Sequence, residues 1–296
     1  MRIIGFVLAT VALATSAWAG AAPTPPRGKG QFRFTRWAGP PLRVFYYRPP
    51  GAAGNAPIVL VMHGTNRDAR RYRDEWAPLA RERGFIVVAP QFDRTRFPGV
   101  EGYNLGGARD RRGRPVPRRR WTFAAIEPLF DEVRTRFGSM QPTYYLYGHS
   151  AGGQFVHRFV MHMGHTRLRR AFAANAGWYL MPDPKFRYPY GVADSGISAR
   201  RLRSALTTRL TVLVGERDVV DDGNVRRSRQ ASMQGENRRA RGHAFIEAAK
   251  ARAAALRVAT PWTLSTVADA GHENLAMARA AAPLIRPRLK APPATR

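Results

Sequence analysis

The chain has 296 residues with 44% apolar content, enough to bury the core of one large α/β domain or of two small ones. Cysteine is absent, which excludes disulfides, thiolate metal sites and a cysteine nucleophile. The net charge of +29 comes almost wholly from scattered arginines with no nucleic-acid recognition motif, so it predicts an anion-attracting surface and no specific nucleic-acid partner.

The N-terminus has the pattern of an export signal. Arg2 supplies the positive charge, residues 3–14 form the apolar segment, and Ala17-Trp18-Ala19 is a small-x-small cleavage site. We predict a signal peptide over residues 1–19, cleavage after Ala19, and a secreted or periplasmic protein without a stable membrane anchor. A retained anchor is the lesser alternative, since the apolar run is short for a membrane span.

The first part of the mature chain predicts a leader, three strands and a helix. Residues 20–30 are rich in Pro and Gly and form the leader. Alternating apolar residues predict strands over 31–36 and 42–48, and the continuous apolar run 58–62 predicts a buried strand. Asp68 is a candidate cap for a helix over 69–83.

The middle of the chain predicts a strand, a long loop and a strand–turn–helix unit. Residues 85–90 form another buried strand, and residues 91–120 form a polar, arginine-rich loop. A helix over 122–137 comes next. The β-rich run 143–147 then meets the turn Gly148-His149-Ser150-Ala151-Gly152, and a helix follows over 154–163.

The last part of the chain continues the alternation of strands and helices, which predicts an α/β fold with a mainly parallel sheet covered on both faces. We expect one domain over residues 31–296. The aromatic and Pro-rich residues 178–206 are predicted to be loops above the active-site edge, and residues 216–235 a polar connection. The remaining predictions are strands over 171–175, 210–215 and 262–268, and helices over 238–257 and 274–285.

The turn at Ser150 has the features of a nucleophile. A serine in a sharp strand-to-helix turn crowds its neighbours, so glycines are needed on both sides. The turn exposes the hydroxyl and leaves main-chain N–H groups at a helix N-terminus, where they can face an oxyanion.

A serine nucleophile needs a histidine base, and the histidine needs a carboxylate to hold it. His272 follows the last strand in a Gly-His turn, and Asp218 follows the strand over 210–215. Asp221 and Asp222 are alternatives to Asp218, which is preferred because it is nearest the strand end.

These residues, together with His63-Gly64, resemble the α/β-hydrolase superfamily over nearly all of the mature chain. The short His-Gly-Thr sequence is similar to the secreted esterase and polyhydroxybutyrate-depolymerase-like branch. The resemblance implies the α/β-hydrolase fold, an acyl-enzyme on Ser150, and an oxyanion hole formed by the N–H groups of Ala151 and Thr65. Because the chain departs from the HGGG form of the lipase-like branch, Gly64 or Asn66 could supply the second donor instead.

Other polar and aromatic residues have less specific interpretations. His157, His162 and His165 are accompanied by no carboxylate or cysteine, so we expect no metal site and no cofactor. Trp178 is a candidate substrate-binding residue. Packing of the loops is an equally good interpretation for Trp178 and for the aromatic residues Phe186, Tyr188 and Tyr190.

The sequence therefore favours an exported serine hydrolase acting on a small or oligomeric carboxylic ester. An exported peptidase of the same fold is the alternative among enzymes, because amide and ester hydrolysis share the triad. A basic binding protein on a hydrolase scaffold is the alternative outside enzymes, and a complete triad argues against it. The sequence makes no prediction of the oligomeric state.

Overall fold

The computed structural model describes residues 26–164, 166–220 and 223–286. Within them, eight strands form one sheet in the order β1-β2-β4-β3-β5-β6-β7-β8. β2 pairs antiparallel with β1 and β4, and the other pairings are parallel. The strands are Gly28–Phe34 (β1), Leu42–Arg48 (β2), Ile58–Met62 (β3), Ile86–Gln91 (β4), Tyr144–His149 (β5), Leu168–Ala174 (β6), Leu210–Gly215 (β7) and Thr263–Val267 (β8).

The helices lie between the strands, as the alternating pattern predicts. α1 begins after Asp68, whose carboxylate accepts a hydrogen bond from the Arg71 N–H, and it ends at Gly84 in the left-handed conformation. A 3₁₀ turn leads into α2. The helices are Ala69–Arg83 (α1), Ile126–Phe137 (α2), Ala151–His162 (α3), Ala199–Leu206 (α4), Arg229–Ser232 (α5), Arg238–Ala255 (α6) and Asn274–Ala281 (α7).

Each face of the sheet is covered by helices, and the alternation of side chains along the strands explains why. In β3, Ile58 and Leu60 pack on one face, whereas Val59 and Val61 pack on the other. The first face is covered by α2, α3, α4 and α6, and the second by α1 and α7. Both faces are therefore apolar, which is the pattern of the continuous apolar runs. The α/β-hydrolase fold expected from the sequence is confirmed.

The prediction of loops throughout residues 178–206 is wrong at its end, where α4 forms. Ser198 caps α4 by accepting a hydrogen bond from the Arg201 N–H. Leu202 of α4 is buried, and the helix packs against α3 and α6. The Arg201 guanidinium also donates to the carbonyl oxygens of Val160 and Met161 at the end of α3. The predicted connection 216–235 likewise contains the short helix α5.

Several sequence predictions fall on residues outside the described ranges. They concern the signal peptide, most of the leader, His165, and the alternative acids Asp221 and Asp222. None of the helices in the described ranges has the length and apolar character needed to cross a lipid bilayer.

Candidate active site

Ser150 lies in a strained turn between β5 and α3. Its backbone has φ 56° and ψ −114°, a conformation that side chains with a Cβ seldom adopt. A Cβ on Gly148 would overlap the main-chain oxygen of Gly152, and a Cβ on Gly152 would overlap that of Met62. The two glycines are therefore required by close backbone approaches on both sides of the serine.

The three predicted triad residues are joined by hydrogen bonds. The Ser150 Oγ lies 3.1 Å from Nε2 of His272. The Nδ1–H of His272 donates to Oδ2 of Asp218 across 2.8 Å. Since the proton is on Nδ1, Nε2 is free to accept the hydroxyl proton of Ser150, which is what general-base activation requires.

The loops that carry Asp218 and His272 are joined by hydrogen bonds of residues that no sequence pattern predicts. The Glu216 carboxylate accepts a hydrogen bond from the Asp269 N–H, and the Arg217 guanidinium donates to the Asp269 carbonyl oxygen. The buried side chain of Asn175 connects the Gly215 N–H to the Gly271 carbonyl oxygen. These contacts fix the separation of the acid and the base.

Asp218 also contacts a buried arginine. The Arg238 Nη1 donates to Oδ1 of Asp218 across 3.0 Å, and both side chains are 2% exposed. The carboxylate is thus shared between His272 and Arg238. Arg238 is the first residue of α6, and no local sequence pattern marks it as a partner of the acid.

The predicted oxyanion donors lie beside Ser150. Ala151 is the first residue of α3, so helix geometry leaves its N–H without an intrahelical acceptor. Gly64, Thr65 and Asn66 line the same cleft as Ser150, so each candidate for the second donor is adjacent. The roles of Ala151 and Thr65 stay predictions.

His63 holds the loop that contains the candidates for the second donor. Its Nδ1–H donates to the Gly64 carbonyl oxygen, and its Nε2 accepts from the Phe92 N–H. Burial lowers the pKa of His63 to about 3, so the ring stays neutral and keeps both hydrogen bonds. His63 therefore acts on the site through the main chain of its neighbour.

His149 is the third histidine near the nucleophile. It is buried, its Nδ1 lies 2.9 Å from the Tyr72 hydroxyl, and its ring centroid is 4.8 Å from that of His272. Burial lowers its pKa well below the usual value. A neutral, buried ring is the arrangement of a packing residue beside the base.

The cleft around Ser150 is small and mostly polar. It has a volume of about 270 Å³. Beyond Ser150, His272 and the loop after β3, it is lined by Arg71, Tyr72, Glu75, His149, Asn224, Glu273, Asn274 and Leu275.

Trp178, the candidate substrate-binding residue, is not among the residues that line this cleft. It is 3% exposed and packs on Tyr190, with a ring centroid distance of 4.7 Å. The buried guanidinium of Arg158 lies 4.2 Å from its ring centroid, and burial lowers the pKa of Arg158 to about 9. A substrate-binding role for Trp178 stays a prediction.

The histidines of α3 have structural contacts. His157 donates from Nδ1 to the Gly153 carbonyl oxygen and accepts at Nε2 from the Leu180 N–H. His162 is buried beside the rings of Trp121 and Phe123. In the described ranges no group of three or more histidines and carboxylates is arranged to hold a metal ion.

Comparisons with known proteins place the chain among hydrolases. No protein-family model matches it. Poly(aspartic acid) hydrolase-1 from Sphingomonas sp. KT-1 is 44% identical, with a TM-score of 0.85 over 88% of this chain and 98% of that one. The poly(3-hydroxybutyrate) depolymerase LpqC from Bordetella parapertussis is 34% identical, with a TM-score of 0.83 over 88% of this chain and 89% of that one.

A third similarity is partial. A stretch of 116 residues, 38% of this chain, is 25% identical to a bifunctional acetylxylan esterase/xylanase from Neocallimastix patriciarum, of which it spans only 15%. The two solved structures cover most of both chains, and their identities exceed 30%. The chain therefore belongs to the α/β-hydrolase superfamily, in its polyhydroxybutyrate-depolymerase-like branch.

Proposed function

We propose that this carboxylic ester hydrolase cleaves short acyl or hydroxyalkanoate-type esters through an acyl-enzyme on Ser150. The observation that carries the proposal is the hydrogen-bonded series of Ser150, His272 and Asp218 at the carboxyl edge of the sheet. Each group has the partner that its role needs. The serine has a base, and the base has a carboxylate that fixes its tautomer.

The first half of the reaction forms the acyl-enzyme. The Ser150 Oγ attacks the ester carbonyl carbon while Nε2 of His272 takes the hydroxyl proton, and the carbonyl oxygen becomes an oxyanion. The N–H of Ala151 and one from the Gly64–Asn66 loop stabilise that charge. The carbon–oxygen ester bond then breaks, and the protonated His272 gives its proton to the departing alcohol.

The second half returns the enzyme to its starting state. A water molecule gives a proton to Nε2 of His272 and attacks the acyl carbon. The bond to the Ser150 Oγ breaks, Oγ regains the proton from His272, and the carboxylic acid leaves. Asp218 stays ionised throughout and stabilises the charged imidazole in both halves.

The size and lining of the cleft support short acyl groups. A volume of about 270 Å³ with many polar side chains offers little apolar wall for a long chain. α4, which forms within the segment predicted to be loops, packs into the core against α3 and α6 and so does not form a movable lid. Relatives named as a poly(3-hydroxybutyrate) depolymerase and an acetylxylan esterase act on esters of small acyl or hydroxyacyl units.

We further propose that the protein acts after export. The support is the sequence pattern of residues 1–19, which would be removed after Ala19. Comparison of the N-terminal residue of the protein from the periplasm or medium with that from the cytoplasm tests this. A periplasmic or secreted protein that retains Met1 would contradict cleavage.

A second candidate activity is hydrolysis of amide bonds in an anionic polymer, and two observations favour it. One is the 44% identity to a poly(aspartic acid) hydrolase. The other is a cavity of about 560 Å³, here called the arginine cavity, in the segment that leaves β4 at the carboxyl edge. Its basic lining consists of Arg96, Arg109, Arg111, Arg112, Arg114 and Arg120, against two acidic residues, Glu101 and Asp110.

The two candidates are separated by one set of assays on the purified protein. We expect turnover of nitrophenyl acetate and butyrate by the wild type, and loss of about 10⁶ in kcat in the Ser150→Ala variant. Poly(aspartic acid) is assayed in parallel by release of new amino groups. Cleavage of that polymer alone would favour the amide activity, and ester turnover that survives Ser150→Ala would refute the proposed mechanism.

A further inference from the structure

The carboxylate of Asp218 has two partners on opposite oxygens. Oδ2 accepts from Nδ1 of His272 and Oδ1 accepts from Nη1 of Arg238, at 2.8 and 3.0 Å. His272 is partly exposed in the cleft, whereas the side chains of Asp218 and Arg238 are both 2% exposed. Arg238 is thus a buried group in direct contact with the acid, and it lies away from the reacting atoms.

The position of Arg238 is itself fixed by the start of α6. Asn237 caps this helix by accepting the Ala240 N–H, and the guanidinium of Arg239 donates to the Glu216 carbonyl oxygen. Two consecutive arginines of α6 therefore contact the loop that carries the acid. Arg239 binds the main chain of this loop, and Arg238 binds the carboxylate of Asp218. The helix and the loop are held as one unit at this point.

We propose that Arg238 is a positioning residue, which fixes the rotation of the Asp218 carboxylate so that Oδ2 faces His272 throughout turnover. The inference rests on the proposed function, in which Asp218 orients the base. A carboxylate turns readily about its Cβ–Cγ bond, because that torsion is broad and nearly two-fold. A guanidinium bonded to Oδ1 removes this freedom, and it also gives the buried oxygen the partner that it needs.

Stability alone does not account well for the pair. A buried ion pair often contributes little net stability, because desolvation of both groups offsets their attraction. Its value here is geometric, since a shift of about 1 Å in a catalytic group can cost about 10²-fold in rate. The role predicts an effect on the chemical step and none on substrate binding.

The first test compares two buried arginines of α6. We expect Arg238→Met to lower kcat by about 10²-fold with KM unchanged, and Arg238→Lys to restore part of the loss. Arg241→Met is the matched control. Arg241 lies one turn further along, is 1% exposed, and donates to the main-chain oxygens of Gly177 and Gly235. Its removal should leave kcat of the folded protein near the wild-type value.

The second test separates positioning from folding by repeating Arg238→Met in an Asp218→Asn background. In the single Asp218→Asn variant, Arg238 can only donate, so the amide oxygen must face Arg238 and the amide NH₂ must face His272. Removal of Arg238 lets the amide turn its oxygen to His272. The double variant should therefore have a kcat at or above that of Asp218→Asn alone.

The two tests can either support or overturn the positioning role of Arg238. The inference is overturned if Arg238→Met lowers kcat by the same factor in both backgrounds, or if Arg241→Met loses as much kcat as Arg238→Met. Should Arg238→Met not fold, as judged by circular dichroism, Arg238→Gln replaces it in the same comparison. Failure of the proposed function is recognised separately, because ester turnover would then survive Ser150→Ala.

Discussion

Replacement of Asp218 by Asn has an effect whose sign follows from the contacts of that residue. His272 donates its Nδ1–H to Oδ2, and Arg238 donates to Oδ1. In Asp218→Asn the amide oxygen is drawn to Arg238, and the amide NH₂ is left facing Nδ1. His272 must then carry its proton on Nε2, where it can no longer accept the proton of Ser150.

The size of the effect on kcat follows from the role of the acid in holding the tautomer of His272. Loss of the correct tautomer with intact geometry costs about 10⁴ in kcat. At about 1.36 kcal/mol for each factor of ten, this corresponds to roughly 5 kcal/mol of transition-state stabilisation. The amide has nearly the same shape as the carboxylate, so we expect KM to change little.

The assay is steady-state hydrolysis of nitrophenyl butyrate by the purified variant, with its fold checked by circular dichroism. The comparison variants are Asp221→Asn and Asp222→Asn, at the alternative acids, which we expect to change kcat little. A loss below about tenfold in Asp218→Asn would refute the reasoning, because that is far from the effect of a wrong tautomer. A large loss in Asp221→Asn or Asp222→Asn would move the acid to that residue.

Three further predictions concern charge, substrate size and acid stability. Exposed charges are screened within about 10 Å at 0.1 M salt, so KM for an anionic ester should rise with salt while KM for a neutral ester stays constant. An equal salt dependence of the two KM values would contradict a role for the arginine cavity. Across nitrophenyl esters, kcat/KM should be highest for acetate or butyrate and fall for octanoate and palmitate, since each CH₂ gains about 0.8 kcal/mol only where there is wall to bury it. A maximum at palmitate would mean that a long apolar tunnel exists. Burial lowers the pKa of His162 from 6.5 to about 3, so between these values the unfolded chain binds a proton that the native protein does not, and stability falls as the pH falls. The free energy of unfolding of His162→Phe, measured with denaturant, should therefore depend less steeply on pH, by up to about 1.4 kcal/mol per pH unit. An unchanged slope would show that His162 is not the source of the pH dependence.

The strands of the sheet were predictable because their surroundings impose a simple pattern. β3 is covered on both faces, so its sequence is a continuous apolar run, and β7 departs from such a run only at Thr211 and the final Gly215. The predicted bounds of both strands agree with the structure. β1 was less predictable. It begins at Gly28, three residues before the predicted start, since its extent is set by pairing with β2, where Gly28 lies opposite Arg48.

The sequence does not predict α4, because the stability of this helix comes mainly from tertiary contacts. It has only eight residues, with arginine and serine between its buried positions, so its helical period extends over about two turns. The contacts of Arg201 with the carbonyl oxygens of α3 are distant in sequence and leave no local pattern. A short helix held in this way is not distinguishable from a polar loop by periodicity.

The residues of the candidate site also divide into those that the sequence predicts and those that it does not. Ser150 directly follows β5, His272 lies in the turn five residues after the end of β8, and the order of the groups along the chain predicts Asp218. Arg238 was not predictable, because it lies 20 residues after Asp218 in a helix whose sequence is otherwise ordinary. Trp178 packs on Tyr190 and is not among the residues that line the cleft, so its substrate-binding role stays a prediction.

The central claim is that a covalent bond forms at Ser150, and trapping of that bond tests it most directly. The purified protein is treated with a serine-directed phosphonate, and the modified peptide is identified by mass spectrometry. We predict one adduct per chain, on Ser150, with loss of ester turnover in proportion to labelling, and no adduct in Ser150→Ala. Full labelling of another residue, or turnover that persists when Ser150 is fully labelled, would contradict the account.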